Sequence, residues 1–334
     1  MTGSLARLLR DLPGPDEEAR AAVRDRAANV LRPAGALARL DEIAVWLAGW
    51  QRRQAPAVRW PHTAIFVADH GVVTGGVSAY PAEVTKAMLD ALRDGVATSA
   101  ALARAVGSTF DAVDVGVGEP TGDIRVEPAM DAGRFGACVA AGAGASDVAA
   151  EAGADLLIVG EMGIGNTTPA AAVCAALFGG DPAGWTGRGT GVDDDGLARK
   201  VAAVTAARDR VAAVTEDPLE VLLQVGGAEL VAIAAAVAQA RRRSIPVLLD
   251  GFVVGAAVAA LALAAPGALA HCLASHRSAE PGHRLLLERL GMAPVLDLDL
   301  RLGEGSGALV ALPLIRLAAV AVTDVATFQE RGLA

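Results

Sequence analysis

A chain of 334 residues with a formal net charge of −9 is long enough for one large domain or two, and for a substantial buried core. The charge argues against nucleic acid as a general partner, which needs a surplus of Lys and Arg on some face. Aromatics at 3% and abundant alanine suit close-packed helices rather than a membrane protein.

The N-terminal SLARLLRDLPG carries arginines inside its only apolar run, which does not suit a secretory leader, so the cytoplasm is the expected compartment. Cys138, Cys174 and Cys272 are odd in number, far apart and without a CxxC. Neither a disulfide framework nor a zinc cluster is indicated, and no metal is expected. Residues 16–53, DEEARAAVRDRAANVL and GALARLDEIAVWLAGWQRRQ, are helical patterns with no strand between them. Residues 1–60 are therefore expected to form a helical segment, joined by a last helix over 308–330 into a small subdomain. From residue 61 to 307, short β-branched runs alternate with alanine-rich stretches long enough for crossover helices. HTAIFVAD, DAVDVGV, DLLIVGEM, EVLLQVGG, PVLLDG, LAHCLAS and PVLDLDL read as strands. The pattern predicts an α/β fold: a doubly wound, largely parallel sheet with helices on both faces, forming a Rossmann-like catalytic domain. Gly251–Ala270 is uncharged and opens with GxxxG, so length alone would let it span a bilayer. Its Ala/Gly content, Pro266 and the lack of interfacial aromatics make it a buried helix running into the next strand, and no membrane contact is expected.

An open parallel sheet binds ligands outside the carboxyl ends of its strands, so the residues after each strand carry the functional information. They are Asp69, His70 and Gly71; Glu161, Met162 and Gly163; Gly226 and Gly227; Asp250 and Gly251; Ser275 to Ser278; and Arg301, Leu302, Gly303 and Glu304. GEMGIGNTTPAAA, residues 160–172, joins a strand to a helix through a glycine loop with Asn166, Thr167 and Thr168. Such a loop is an anion cradle or a tight structural turn; lacking GK[ST] and GxGxxG, it implies neither a triphosphate nor NAD. In GRGTGVDDDGLARK, residues 187–200, Asp193 to Asp195 either hold magnesium or cap a helix, and capping is the stronger reading. Lys200, with Lys86 one of only two lysines, suits a point charge on a phosphate. His62, His276 and His283 read as structural or surface residues. His70 beside Asp69 reads as a catalytic group or a hydrogen-bonded scaffold. Tyr80, the only tyrosine, lines a flat pocket or anchors a helix entry. VGVGEP and AGAGAS complete no nucleotide fingerprint and read as turn and helix-packing segments.

ADHGV..GVSAYP..VT, GEMGIGNTTPAAA, GRGTG.DD.GL.RK, VGGAE, PVLLDGF, SHRSAEPGH and L.LRLGEG.GA occur in this order. From about residue 30 to 325 the chain resembles the nicotinate-nucleotide:dimethylbenzimidazole phosphoribosyltransferase family. The resemblance implies a homodimeric α/β enzyme that takes nicotinate mononucleotide and a benzimidazole-type base, and needs no cofactor. It puts the general base on Glu304 and a second acid and a lysine on Glu161 and Lys200. Phosphate and ribose contacts fall on Gly163, Gly165, Asn166, Thr167, Gly189, Asp250, Ser278 and Arg301, and the segment from Tyr80 to Met88 borders the aromatic base. Two other classes stay open at this point: a mononucleotide-binding protein without turnover, and a Rossmann-like oxidoreductase.

Overall fold

Five of the seven apolar runs line up in one parallel sheet. The computed structural model describes residues 2–333. Helices α1 (Gly3–Leu8), α2 (Glu17–Asn29) and α3 (Ala38–Gln51) precede β1 (Pro61–Val67), and α4 (Val84–Arg93) and α5 (Thr98–Ala105) lead to β2 (Thr109–Asp114). The chain continues through α6 (Ala132–Glu151), β3 (Leu156–Met162), α7 (Thr167–Phe178), α8 (Pro182–Trp185) and α9 (Asp194–Arg210). Next come α10 (Pro218–Val225), α11 (Ala228–Arg242), β4 (Val247–Leu249), α12 (Phe252–Ala264) and β5 (Cys272–Ala274). A short β6 (His276–Arg277), α13 (Pro281–Leu290), β7 (Leu296–Asp297) and α14 (Ser306–Thr323) complete it. The sheet order is β2-β1-β3-β4-β5, and β6 pairs with β7 in a separate two-stranded ladder.

Alternate residues of each strand face opposite layers. Leu157, Val159, Val247 and Leu249 pack with α6, α7, α11 and α12, whereas Leu156, Ile158 and Leu248 pack with Ile43 and Leu47 of α3 and Leu309 and Leu312 of α14. Ile65 and Val67 face a third cluster with Leu89 and Leu92 of α4. Both faces of the sheet are therefore covered, as continuous apolar strands require. The terminal segments meet. Ala19, Val23, Ala44, Ala48 and Val322 form one cluster, and the Arg26 guanidinium donates to the carbonyls of Val322 and Val325 at 2.9 and 2.8 Å. Helix α14 starts at Ser306 and ends at Thr323, short of the expected 330.

EVLLQVGG is helical, contrary to expectation. Asp217 caps α10 by accepting from the Leu219 and Glu220 amides, both at 3.1 Å, and Pro218 takes the first turn. Leu219, Val221, Leu222 and Leu223 are all buried, so the helix is apolar nearly all round. Such a run has no period that separates helix from strand. PVLDLDL yields only the two-residue β7, and Gly251–Ala270 is a buried helix followed by a turn. AGAGAS lies inside α6 against α11, where the Ser146 hydroxyl donates to Ala236 O at 2.7 Å.

Candidate active site

Strand order reverses direction between β1 and β3, and the crevice beyond their carboxyl ends is where such a sheet takes a ligand. A cleft of about 780 Å³, its open mouth included, lies there. Of the expected residues, Glu161, Met162, Gly163, Gly165, Asn166, Thr167, Gly189, Lys200, Ser278, Arg301, Leu302 and Gly303 line it. Glu304, Asp250, Asp69, His70, Tyr80 and Met88 are set around or behind it.

One end is built for an anion. The loop from Gly163 to Asn166 turns into α7 and brings the dipole of that helix N-terminus to the cleft, while the Ile164, Asn166 and Thr168 amides are bonded to Thr85 Oγ1, Gly163 O and Gly165 O. Lys200 reaches in from α9, is 1% exposed, and donates to Thr167 Oγ1 at 2.8 Å. Burial pushes its ammonium down to about 8, opposed by the charge of Glu280. Gly189 is wedged between these groups: at φ +55°, a Cβ there would lie 3.0 Å from Thr167 Oγ1 and 3.1 Å from Lys200 Nζ. The Gly189 amide donates to Glu280 Oε1 at 2.9 Å, and its carbonyl accepts from Arg301 Nη1 at 3.4 Å. The three aspartates that follow act on the helix. Asp193 caps α9 through the Gly196 amide, and Asp194 and Asp195 fill its first turn.

The other end is a group of buried acids. Glu161 is the last but one residue of β3, and one of its carboxylate oxygens accepts from the Asn166 amide group. Burial pushes Glu161 up to about 8; the Asn166 bond opposes this and the charges of Asp250, Glu229 and Glu304 add to it. Glu304 has φ +57° between Gly303 at +84° and Gly305 at +70°. A side-chain-bearing residue in that region is strained, and it persists only where its surroundings hold it. They do so from two sides. The Glu304 amide donates to Glu161 O at 3.1 Å, and Asp250 accepts from the amides of Gly305 at 3.0 Å and Ala308 at 3.1 Å. Gly160 completes the fit, because a Cβ on that strand residue would lie 2.7 Å from Gly305 Cα. Asp250 thus has both oxygens on the start of α14 and is not in the cleft wall; burial pushes it up to about 7. The Glu304 side chain is buried beside the cleft, next to α5, where Ser99 Oγ donates to its Oε2 at 2.9 Å.

His70 is not paired with Asp69. Its Nε2 lies 2.8 Å from Glu229 Oε1, both side chains fully buried, and Asp69 Oδ2 accepts from the Gly118 amide at 2.8 Å. The pair sits behind the anion loop, since a Cβ on Gly163 would come within 2.9 Å of His70 Nε2. Tyr80 is 51% exposed, and Met88 and Met162 are partly buried against the cluster that holds Leu89. His276 and His283 are buried, and burial lowers them to about 4 and 3, so both are neutral. His283 Nδ1 accepts the Ser278 amide at 2.9 Å, which fixes that expected contact, while His276 reaches the cleft wall. Sequence reading did not single out Glu280, Glu229 or Ser99. The first two stand inside quoted motifs, SHRSAEPGH and VGGAE, but Ser99 carries no local signal.

An anion cradle facing strand-end acids across one cleft suits an enzyme that moves a phosphorylated sugar, and a phosphoribosyltransferase family model matches residues 12–333. The chain belongs to the nicotinate-nucleotide–dimethylbenzimidazole phosphoribosyltransferase family. It is 48% identical over 326 residues to the protein of that name from Novosphingobium aromaticivorans, across 98% of this chain and 95% of the relative. The Mesorhizobium japonicum protein is 49% identical over 325 residues, across 97% and 95%. A crystal structure of CobT from Thermus thermophilus superposes with a TM-score of 0.90 at 43% identity, covering 95% of this chain and 99% of that one.

Proposed function

We propose that this chain moves the 5-phosphoribosyl group of nicotinate mononucleotide to a benzimidazole-type base, giving α-ribazole 5′-phosphate and nicotinate, with the division of labour that follows. The cradle of Gly163, Gly165, Asn166 and Thr167, with Lys200, Gly189 and Arg301, holds the 5′-phosphate and so positions C1′. Nicotinate leaves as a neutral ring nitrogen, taking the electrons of the C1′–N bond, and needs no general acid. The azole lone pair forms the new bond on the opposite face, which inverts the β-linkage to α. As positive charge builds on the azole, its second nitrogen gives its proton to Glu304. Glu161 lies where a cationic sugar or a ribose hydroxyl would meet it. Asp250 acts through the loop it anchors, and Ser278 and Leu302 close the walls.

The observation that carries this reading is Glu304 itself: one acid on a left-handed loop tied to β3 and α14, beside a cleft that Met162 helps to line. Incubation with nicotinate mononucleotide and 5,6-dimethylbenzimidazole is expected to release nicotinate only when the azole is present. Proton NMR of C1′ is expected to show the α-anomer. Absence of product, or a β product, overturns the assignment.

We further infer a cytoplasmic homodimer. Val310, Leu317 and Val320 form an exposed apolar stripe on α14, spaced to share one helix face, and a second copy would cover it. Sedimentation of Leu317→Glu is expected to give monomers.

A further inference from the structure

The Glu304 amide is held by the Glu161 carbonyl and the next amide, that of Gly305, by Asp250, which leaves the rotation of the Glu304 side chain to be fixed. Among the described residues, the one side chain that hydrogen-bonds it is Ser99, the second residue of α5. Ser99 is fully buried, and its backbone amide also faces the Glu304 carboxylate. Ser99 lies 205 residues away in sequence, and its hydroxyl engages Oε2, while no side chain among the described residues hydrogen-bonds Oε1.

The surroundings make that hydroxyl consequential. Burial raises the Glu304 carboxyl above its ordinary range, and the Ser99 donors oppose the rise. The charged groups near Glu304 are acids, Glu161 from β3 and Asp250 beyond β4. On α4, Lys86 and Asp90 pair with each other at the surface, and on α5 Arg104 donates to Gly95 O. Among the described residues no cation is placed to keep Glu304 ionised, so the task falls on neutral donors.

We propose that Ser99 is a positioning residue of the transfer reaction: it holds the Glu304 carboxylate ionised and turned so that Oε1 meets the azole N–H. The proposal rests on the reading of Glu304 as the base. An ordinary helix-packing role for Ser99 would leave the ionisation of Glu304 out of account, so the test follows ionisation.

The experiment is the pH dependence of kcat at saturating substrates for the wild type, Ser99→Ala, Ser99→Thr and Glu304→Gln, with thermal melts to confirm folding. Losing a donor disfavours the charged carboxylate, so the acidic limb of Ser99→Ala is expected to move to higher pH by roughly one unit. KM for the mononucleotide stays within about twofold, because the change lies on the azole side. Ser99→Thr keeps a hydroxyl and returns the limb toward the wild-type position. Ser99→Cys, similar in size and a weaker donor, gives the same direction and serves if Ser99→Ala does not fold. An acidic limb that coincides with the wild type, or moves to lower pH, overturns the role of Ser99 if Glu304→Gln has lost the limb. A Glu304→Gln enzyme that keeps both rate and limb overturns the base assignment and the proposal with it.

Discussion

The two ends of the cleft meet burial with opposite charges. At the end proposed for the phosphate, burial pushes Lys200 down to about 8. Among the buried acids at the other end it pushes Glu161 up to about 8 and Asp250 up to about 7. At each end burial therefore works against the charged form. On the proposed assignment, a phosphate dianion would favour the ammonium of Lys200, and a pyridinium or a cationic sugar would favour the carboxylate of Glu161. The ends also differ in construction. The phosphate end is mostly backbone, whereas the acid end depends on a few side chains that hold one strained loop.

That contrast gives different signatures for damage at the two ends. Glu304→Gln keeps size and most hydrogen bonding but accepts no proton, so kcat is expected to fall by roughly 10²–10⁴ with little change in mononucleotide binding. Gly160→Ala pushes on the Gly305 backbone without touching either substrate. Displacing the loop is expected to lower kcat by about 10²-fold, while binding of inorganic phosphate, read by calorimetry, is retained. Lys200→Ala is the converse case: mononucleotide affinity is expected to fall by about 10- to 100-fold with azole affinity unchanged. Equal weakening of both in titrations would erase the distinction between the ends.

Two smaller effects sharpen it. Native Glu161 keeps its proton to about 8, whereas in the unfolded chain a carboxylate is ionised well below that. The native state thus binds more protons, and this contribution to stability declines as pH rises from 6 to 8. Glu161→Gln lacks the decline, so it is expected to gain about 1–2 kcal/mol on the wild type across that window in denaturant titrations. Comparing the two proteins cancels the buried histidines. Met88→Ala removes apolar surface on the azole side and is expected to raise the azole KM by about three- to tenfold, leaving the mononucleotide KM in place.

Where the sequence reports local geometry, it is legible. The strand-end acids, the glycine loop before α7 and the caps of α9 follow from residue types at short spacing. EVLLQVGG is not legible from its apolar pattern, because the run is short and Glu220 and Gln224 are its only polar members; the Asp217-Pro218 cap is the signal that decides it. The glycines flanking Glu304 announce a left-handed loop, but the direction of its side chain comes from α5 and its anchor from Asp250, both distant in sequence. His70 likewise finds Glu229 rather than the adjacent Asp69, since partners of a buried group are set by which helix packs over it. Tyr80, singular in composition, lies outside the cleft wall and half exposed; scarcity alone does not place a residue.

The central claim is that Glu304 takes the azole proton during transfer. Its most direct test is a series of azoles of graded N–H acidity, with single-turnover rates measured for the wild type and Glu304→Gln. The nucleophilicity of each azole affects both proteins and cancels in the ratio of their rates, so the ratio reports proton removal alone. The ratio is predicted to fall steadily as the azole becomes more acidic, because a base matters less to a proton that leaves readily. A ratio that stays constant across the series would contradict Glu304 as the proton acceptor.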